Sequence, residues 1–148
     1  MGEGDDETDD TYIPLDDDKA AAPLVFTGTC EPGVDISIAA VGDVLLHGAL
    51  QVQAVGHELR FASLWQPIVD VLAAADITYV NLEGPTAEGV RATGRNAPDP
   101  GFVFDNAIYT SYPQFNYHPY LLADLHASGV DVVSTANNHS LDRRELGV

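Results

Sequence analysis

The residues of this chain best suited to bind hard cations or move protons stand where apolar runs stop. Val132-Val133-Ser134-Thr135 breaks into Ala136-Asn137-Asn138-His139-Ser140-Leu141-Asp142, so a β-branched run ends in two amides, an imidazole, a hydroxyl and a carboxylate. Two earlier runs end the same way: Ile36 to Val41 leads into Gly42-Asp43, and Ile77 to Val80 leads into Asn81-Leu82-Glu83-Gly84. Open α/β sheets bind ligands just beyond the carboxyl ends of their parallel strands. Three such ends would bring Asp43, Asn81, Glu83, Asn137, Asn138, His139 and Asp142 to one edge. Carboxylate and amide oxygens with an imidazole form a hard-to-borderline donor set, which suits a divalent metal. Such an ion lowers the pKa of a bound water, and a nearby imidazole can protonate a leaving oxygen.

Each residue also has a plainer reading. Asp43 after Gly42 could cap a turn, Asn81 and Asn137 could satisfy backbone at strand ends, and His139 could be a surface-loop histidine. Ser140 reads better as a cap than as a nucleophile, and Asp142 better as a support for its loop than as a ligand. His47 lies four residues after Asp43 and reads as loop, while His57, His118 and His126 have no evident partner. The series Tyr109, Tyr112, Phe115, Tyr117 and Tyr120 reads as packing over a long loop rather than as a substrate platform. What lifts Asp43, Glu83 and His139 above these readings is that three strand ends carry the pattern together.

The elements that must position these residues follow from periodicity. Near-continuous apolar character from Ile36 to Val41 predicts a central strand covered on both faces. Phe61, Leu64, Trp65, Ile68, Val69 and Leu72 recur at three and four, predicting an amphipathic helix that starts between Ser63 and Gln66 with Pro67 in its first turn. Ile77 to Val80 is the second strand, joined to the first by a right-handed parallel crossover. Gly84 to Asn116 is punctuated by Gly and Pro, with Phe102-Val103-Phe104 as its one strand-like piece; a connection of that length is usually functional or mobile. Pro119 opens a helix with Leu121, Leu122 and Leu125 toward the core and Gly129 as its C-terminal cap. Val130 to Thr135 is the third strand, and Leu141 to Val148 begins another helix.

Charge divides the chain. Lys and Arg number 6 against 23 Asp and Glu, and nine of the acids (Glu3, Asp5, Asp6, Glu7, Asp9, Asp10, Asp16, Asp17 and Asp18) precede Lys19. Residues 1–33 therefore read as an acidic disordered tail and linker, with a short extended piece at Leu24-Val25-Phe26, and 34–148 as the domain. So few bases exclude a nucleic-acid partner, which needs clustered Lys and Arg. No run reaches the ~20 apolar residues of a membrane span, and no secretory signal is evident. Thr27-Gly28-Thr29-Cys30 is a weak match to a lipid-attachment site, and as the single cysteine Cys30 permits no internal disulfide.

With Gly42-Asp43-Val44-Leu45-Leu46-His47, Ala75-Asp76-Ile77-Thr78-Tyr79-Val80-Asn81-Leu82-Glu83-Gly84 and Ala136-Asn137-Asn138-His139-Ser140-Leu141-Asp142, the chain resembles the CapA family of poly-γ-glutamate capsule-synthesis proteins over about Asp35 to Val148. That family is in turn similar to the calcineurin-like metallophosphoesterases. The resemblance implies the N-terminal half of an α/β metallophosphatase-like αββα sandwich, in a cell-envelope setting, with one or two divalent ions of manganese, iron or zinc. It places Asp43 as a ligand of one metal, Glu83 as the carboxylate bridging two, and Asn81 beside it as a ligand or a partner of the ligands. It places Asn138 on the second metal, with Asn137 adjoining, and His139 as the acid or orienter of the substrate. The implied partners are an anionic small-molecule or polymer substrate and other capsule-synthesis proteins.

The chain departs from the phosphoesterase pattern in three places. His47 replaces an Asp-x-His histidine at a different spacing, Asn81-x-Glu83 replaces a Gly-Asp-rich motif, and the later histidine ligands are not in this sequence. Two functions are therefore expected to compete: a metal-dependent hydrolase domain, and a non-catalytic accessory of a polymer synthesis or export complex. An N-terminal part alone would expose an apolar strand edge and be marginally stable or oligomeric.

Overall fold

Strand β2 (Ile77–Leu82) holds the centre of a parallel sheet in the order β1-β2-β3, between β1 (Ile38–Val44) and β3 (Val132–Ser134). Its Thr78, Val80 and Leu82 are buried, while Ile77, Tyr79 and Asn81 on the opposite face are more open, the alternation expected of a pleated strand. This is a computed structural model, which describes residues 33–148; the expected acidic tail, its Leu24-Val25-Phe26 piece and Cys30 lie outside the described residues. Val34–Val148 form one unit, and among the described residues no helix is long and apolar enough to cross a membrane.

Register aligns the carboxyl ends of all three strands. Asp43 pairs with Asn81, and Asn81 with Ser134. Between Ala40 and Asp43 the register of β1 shifts, so that Val41 and Gly42 stand against Val80 alone. A bulge of this kind bends a strand and re-aims the side chain that follows it, and here that side chain is Asp43. At the amino ends, Ser37 donates to Asp76 Oδ2 through both its N–H (2.8 Å) and its hydroxyl (2.6 Å), and Thr78 N–H donates to Asp131 Oδ2 at 2.8 Å.

The helices lie on one face of this sheet. α1 (Gly48–Val55), 3₁₀ turns at Arg60–Leu64 and Gln66–Ile68, α2 (Val69–Leu72) and α3 (Tyr120–Ala127) complete the main order. Ala54, Phe61, Leu121, Leu125 and Val130 pack with Val80 and Leu82 as the core. Among the described residues nothing covers the other face: Ile38 is 68% exposed and Val132 45%. Among the described residues β1 is thus an edge strand open on one face, which corrects the expectation of a central strand covered on both.

One helix was not foreseen, and further expectations are corrected. α1 was not legible, because Gly48-Ala49-Leu50-Gln51-Val52-Gln53-Ala54-Val55 carries no charge and little amphipathic contrast. The helix expected from Ser63–Gln66 to Leu72 forms only its last turn as α-helix. Pro67 lacks an N–H and disfavours helical backbone at Gln66, so the chain reaches Ile68 through 3₁₀ turns. Phe102-Val103-Phe104 is not a strand, since nothing pairs with it; Phe102 packs edge-on against Phe61 and His118 instead. Leu141–Val148 yields a short 3₁₀ turn at Arg144–Gly147, and β3 is confined to Val132–Ser134.

α3 follows expectation more closely, although Leu122 is exposed while Leu121 and Leu125 are buried. Gly129, at φ +92°, closes it: its N–H donates to His126 O and Val130 N–H to Leu125 O, the paired bonds of a Schellman cap.

The long connection after β2 is pinned by side chains. Asn116, fully buried, accepts from Ala87 N–H (2.8 Å) and donates to Ala87 O (2.8 Å) and Ile108 O (2.9 Å). Asp105 accepts from the N–H groups of Ala107, Ile108 and Tyr109. Burial pushes the Asp105 carboxyl up, but the backbone donors outweigh it and hold the group below its ordinary value. Arg143, also fully buried, donates to Ile108 O (3.1 Å), to Thr110 Oγ1 and to its neighbour's carbonyl, Asp142 O (2.9 Å). Burial lowers the Arg143 pKa to about 10, with Asp142 and Asp105 opposing, so it remains a cation at neutral pH.

Candidate metal and proton-transfer site

Asn81 joins the first two strand ends. Its Nδ2 donates to Asp43 Oδ1 at 2.8 Å and to Glu83 Oε2 at 2.5 Å. Two carboxylates therefore share one amide nitrogen, and neither is ion-paired with a cationic side chain among the described residues. Period-two alternation puts Asn81 and Glu83 on the same face of β2, and the bulge in β1 brings Asp43 across to them. Asp43 is exposed, whereas Asn81 and Glu83 are half-buried.

Asn137 joins the third strand end to the second. Its Nδ2 donates to Leu82 O at 2.8 Å and to Asn81 Oδ1 at 3.2 Å, while its Oδ1 accepts from His139 N–H at 3.0 Å. Ser140 Oγ donates to Asn137 O at 2.8 Å, so this hydroxyl closes a turn. Asn138 is exposed and makes no hydrogen bond to a described residue. Asp43, Asn81, Glu83 and Asn137 thus form one hydrogen-bonded chain, joined to the backbone of His139, with Asn138 beside it.

The imidazole of His139 belongs to a second cluster. Its Nδ1 lies 2.8 Å from Asp142 Oδ2, and the same oxygen accepts from Phe115 N–H at 2.7 Å. Phe115 packs edge-on against the ring at 4.8 Å between centroids. Two residues on, the Tyr117 hydroxyl accepts from Leu46 N–H (3.2 Å) and donates to Glu83 O (3.4 Å), tying the segment after β1 to that after β2. Burial pushes the Tyr117 phenol well above its ordinary value, so it stays a donor at any physiological pH.

Phe115 and Tyr117 support all three strand ends, which their place in an aromatic series did not reveal. The spacing His139-x-x-Asp142 was the one available signal for the second cluster, since residues three apart in a tight turn face one another. His47 is exposed and edge-on to Phe115 at 5.4 Å, with no tie to the carboxylates; His57 and His118 turn their Nδ1 atoms onto the N–H groups of Leu59 and Tyr120.

The donor chemistry at the carboxylates fits a hard divalent ion: two anionic oxygens are gathered at the Asn81 amide, and among the described residues no side-chain cation neutralises them. In number the set is small, because among the described residues no three of His, Cys, Asp and Glu are grouped as metal ligands.

The sequence profile described as bacterial capsule synthesis protein PGA_cap matches residues 37–148. The chain belongs to this family. Among relatives of Sinorhizobium fredii (strain NBRC 101917 / NGR234), the protein named Uncharacterized protein y4uA is 33% identical over 113 residues, which cover 72% of this chain. Uncharacterized protein y4sH of the same organism is 32% identical over 113 residues, again 72% of this chain. The aligned region is 19% of the length of each relative. All three PGA_cap strand ends described above lie inside the matched span.

Proposed function

We propose that the three strand ends form the metal-binding edge of a phosphoester hydrolase that acts on an anionic small-molecule or polymer substrate in capsule synthesis. The observation that carries this reading is the pair of carboxylates, Asp43 and Glu83, held on one amide nitrogen without a cationic partner. Asp43, Glu83 and Asn138 would hold the metal, one or two ions of manganese, iron or zinc, with Asn81 and Asn137 as further amide oxygens. Such an ion would supply positive charge against phosphoryl oxygens and lower the pKa of a water. His139 would give a proton to the leaving oxygen, while Asn137 keeps β3 in step with β2. The αββα sandwich is the reading for the complete domain, in which a second sheet would cover the exposed row of Ile38, Ile77 and Val132. Other capsule-synthesis proteins would be partners, and a cell-envelope location would follow from that role.

The accessory reading is favoured by the small ligand set alone. Hydrolysis of a chromogenic phosphodiester with added manganese separates the two. The enzyme reading expects manganese-dependent turnover, lost in Asp43→Asn and reduced about 10²-fold in His139→Gln, the usual size of a general-acid effect. No turnover with any of the three metals favours the accessory, and turnover that neither substitution alters overturns the assignment of these residues.

A further inference from the structure

We infer that Asp142 is the positioning residue for His139, fixing the imidazole's retained proton on Nδ1 and leaving Nε2 as the nitrogen that exchanges protons. The inference rests on the reading of His139 as proton donor, and it concerns which nitrogen donates.

Asp142 Oδ2 accepts from Phe115 N–H at 2.7 Å and lies 2.8 Å from His139 Nδ1. A backbone N–H can only donate, so this oxygen is acting as an acceptor, and a carboxylate has no proton to offer the ring in return. Nδ1 must therefore carry hydrogen, because which nitrogen of a histidine is protonated follows from the bond the other partner makes. Nε2 makes no hydrogen bond to any described residue.

The backbone that carries the carboxylate is fixed from several directions. Asp142 is 9% exposed, its N–H donates to His139 O at 3.0 Å, and buried Arg143 donates to its carbonyl while gripping Ile108 O and Thr110 Oγ1. The ring is held as firmly, with His139 N–H on Asn137 Oδ1 and Phe115 edge-on to its face. An imidazolium so held breaks its Nε2–H bond on giving that proton to the leaving oxygen. The electron pair stays on Nε2, and Nδ1–H remains on Asp142.

Ring ¹H–¹⁵N correlation spectra of the full, metal-free chain labelled in histidine test this at a single mildly alkaline pH, with His139→Gln assigning the signal. Wild-type protein should show the proton on Nδ1. Asp142→Asn should keep it there, since an amide oxygen can still accept from both donors, and Asp142→Leu should lose it. A wild-type ring protonated on Nε2 overturns the inference, as does an Asp142→Leu ring still protonated on Nδ1. Should Asp142→Leu fail to fold, the wild-type and Asp142→Asn spectra decide. Because no metal is present, an Nδ1–H ring in a protein that hydrolyses nothing would leave the positioning intact and remove only its catalytic use.

Discussion

The carboxylate half of the candidate site and its imidazole half are built on different principles. Asp43 is exposed, and both it and Glu83 lean on one neutral amide, so the negative charge of this half is little compensated by the described residues. His139 and Asp142 are the reverse: the carboxylate is buried and doubly bonded, the backbone carbonyl of Asp142 accepts from a buried arginine, and the ring is packed by Phe115. A half that is finished without a ligand suits the proposed orienting role, whereas a half left with unpaired charge suits the proposed binding role. The contrast says which substitutions should hurt the fold and which should hurt only function.

Asn116→Leu should have the largest effect on the fold. It strips partners from Ala87 N–H, Ala87 O and Ile108 O in a fully buried place and loosens the segment carrying Phe115 and Tyr117. A loss of about 3 kcal/mol in urea unfolding is expected from several buried polar groups left unsatisfied. A loss below about 1 kcal/mol would mean that this loop does not support the imidazole half.

Acid should act less strongly, through the same loop. Burial holds the His118 pKa below its ordinary 6.5, with Asp99 and Glu88 opposing and Arg60 reinforcing. The folded state then binds fewer protons than the unfolded one just below pH 6.5, so stability is complete above that pH and falls as pH drops through the folded value. Asp105, held below 3.8, contributes in the same direction further down, its stabilisation present above 3.8 and lost beneath it. The urea midpoint should therefore decline with acidification starting near pH 6.5, and His118→Phe should flatten that first limb. A midpoint that rises on acidification would contradict this assignment.

The sequence displayed the binding half more openly than the orienting half. Asp43, Asn81, Glu83 and Asn137 could be placed together because parallel strands present their carboxyl ends to one edge, and the strands themselves show as apolar runs. The bulge at Val41-Gly42 was hidden, since it depends on pairing with β2. Likewise the second partner of the Asp142 carboxylate could not be read: it is a backbone N–H contributed by Phe115, 27 positions away. Arg143 is wholly buried, because its guanidinium finds carbonyl and hydroxyl acceptors that only the folded loop creates. The exposed face of β1 was missed for a related reason, as apolar composition records what a strand can be packed against and not whether something lies there.

Asp43→Asn should have the smallest effect on the fold, within about 0.5 kcal/mol as for other exposed substitutions, and this makes it the sharpest probe of the binding half. The most direct test of the central claim is elemental analysis of manganese, iron and zinc per chain after dialysis, on wild-type protein and on Asp43→Asn. The account predicts metal retained by wild type and lost from a variant whose urea midpoint, measured with both proteins metal-free, is unchanged. Equal metal content in both, or none in either, would contradict the assignment of Asp43 and Glu83 as the binding half of the site.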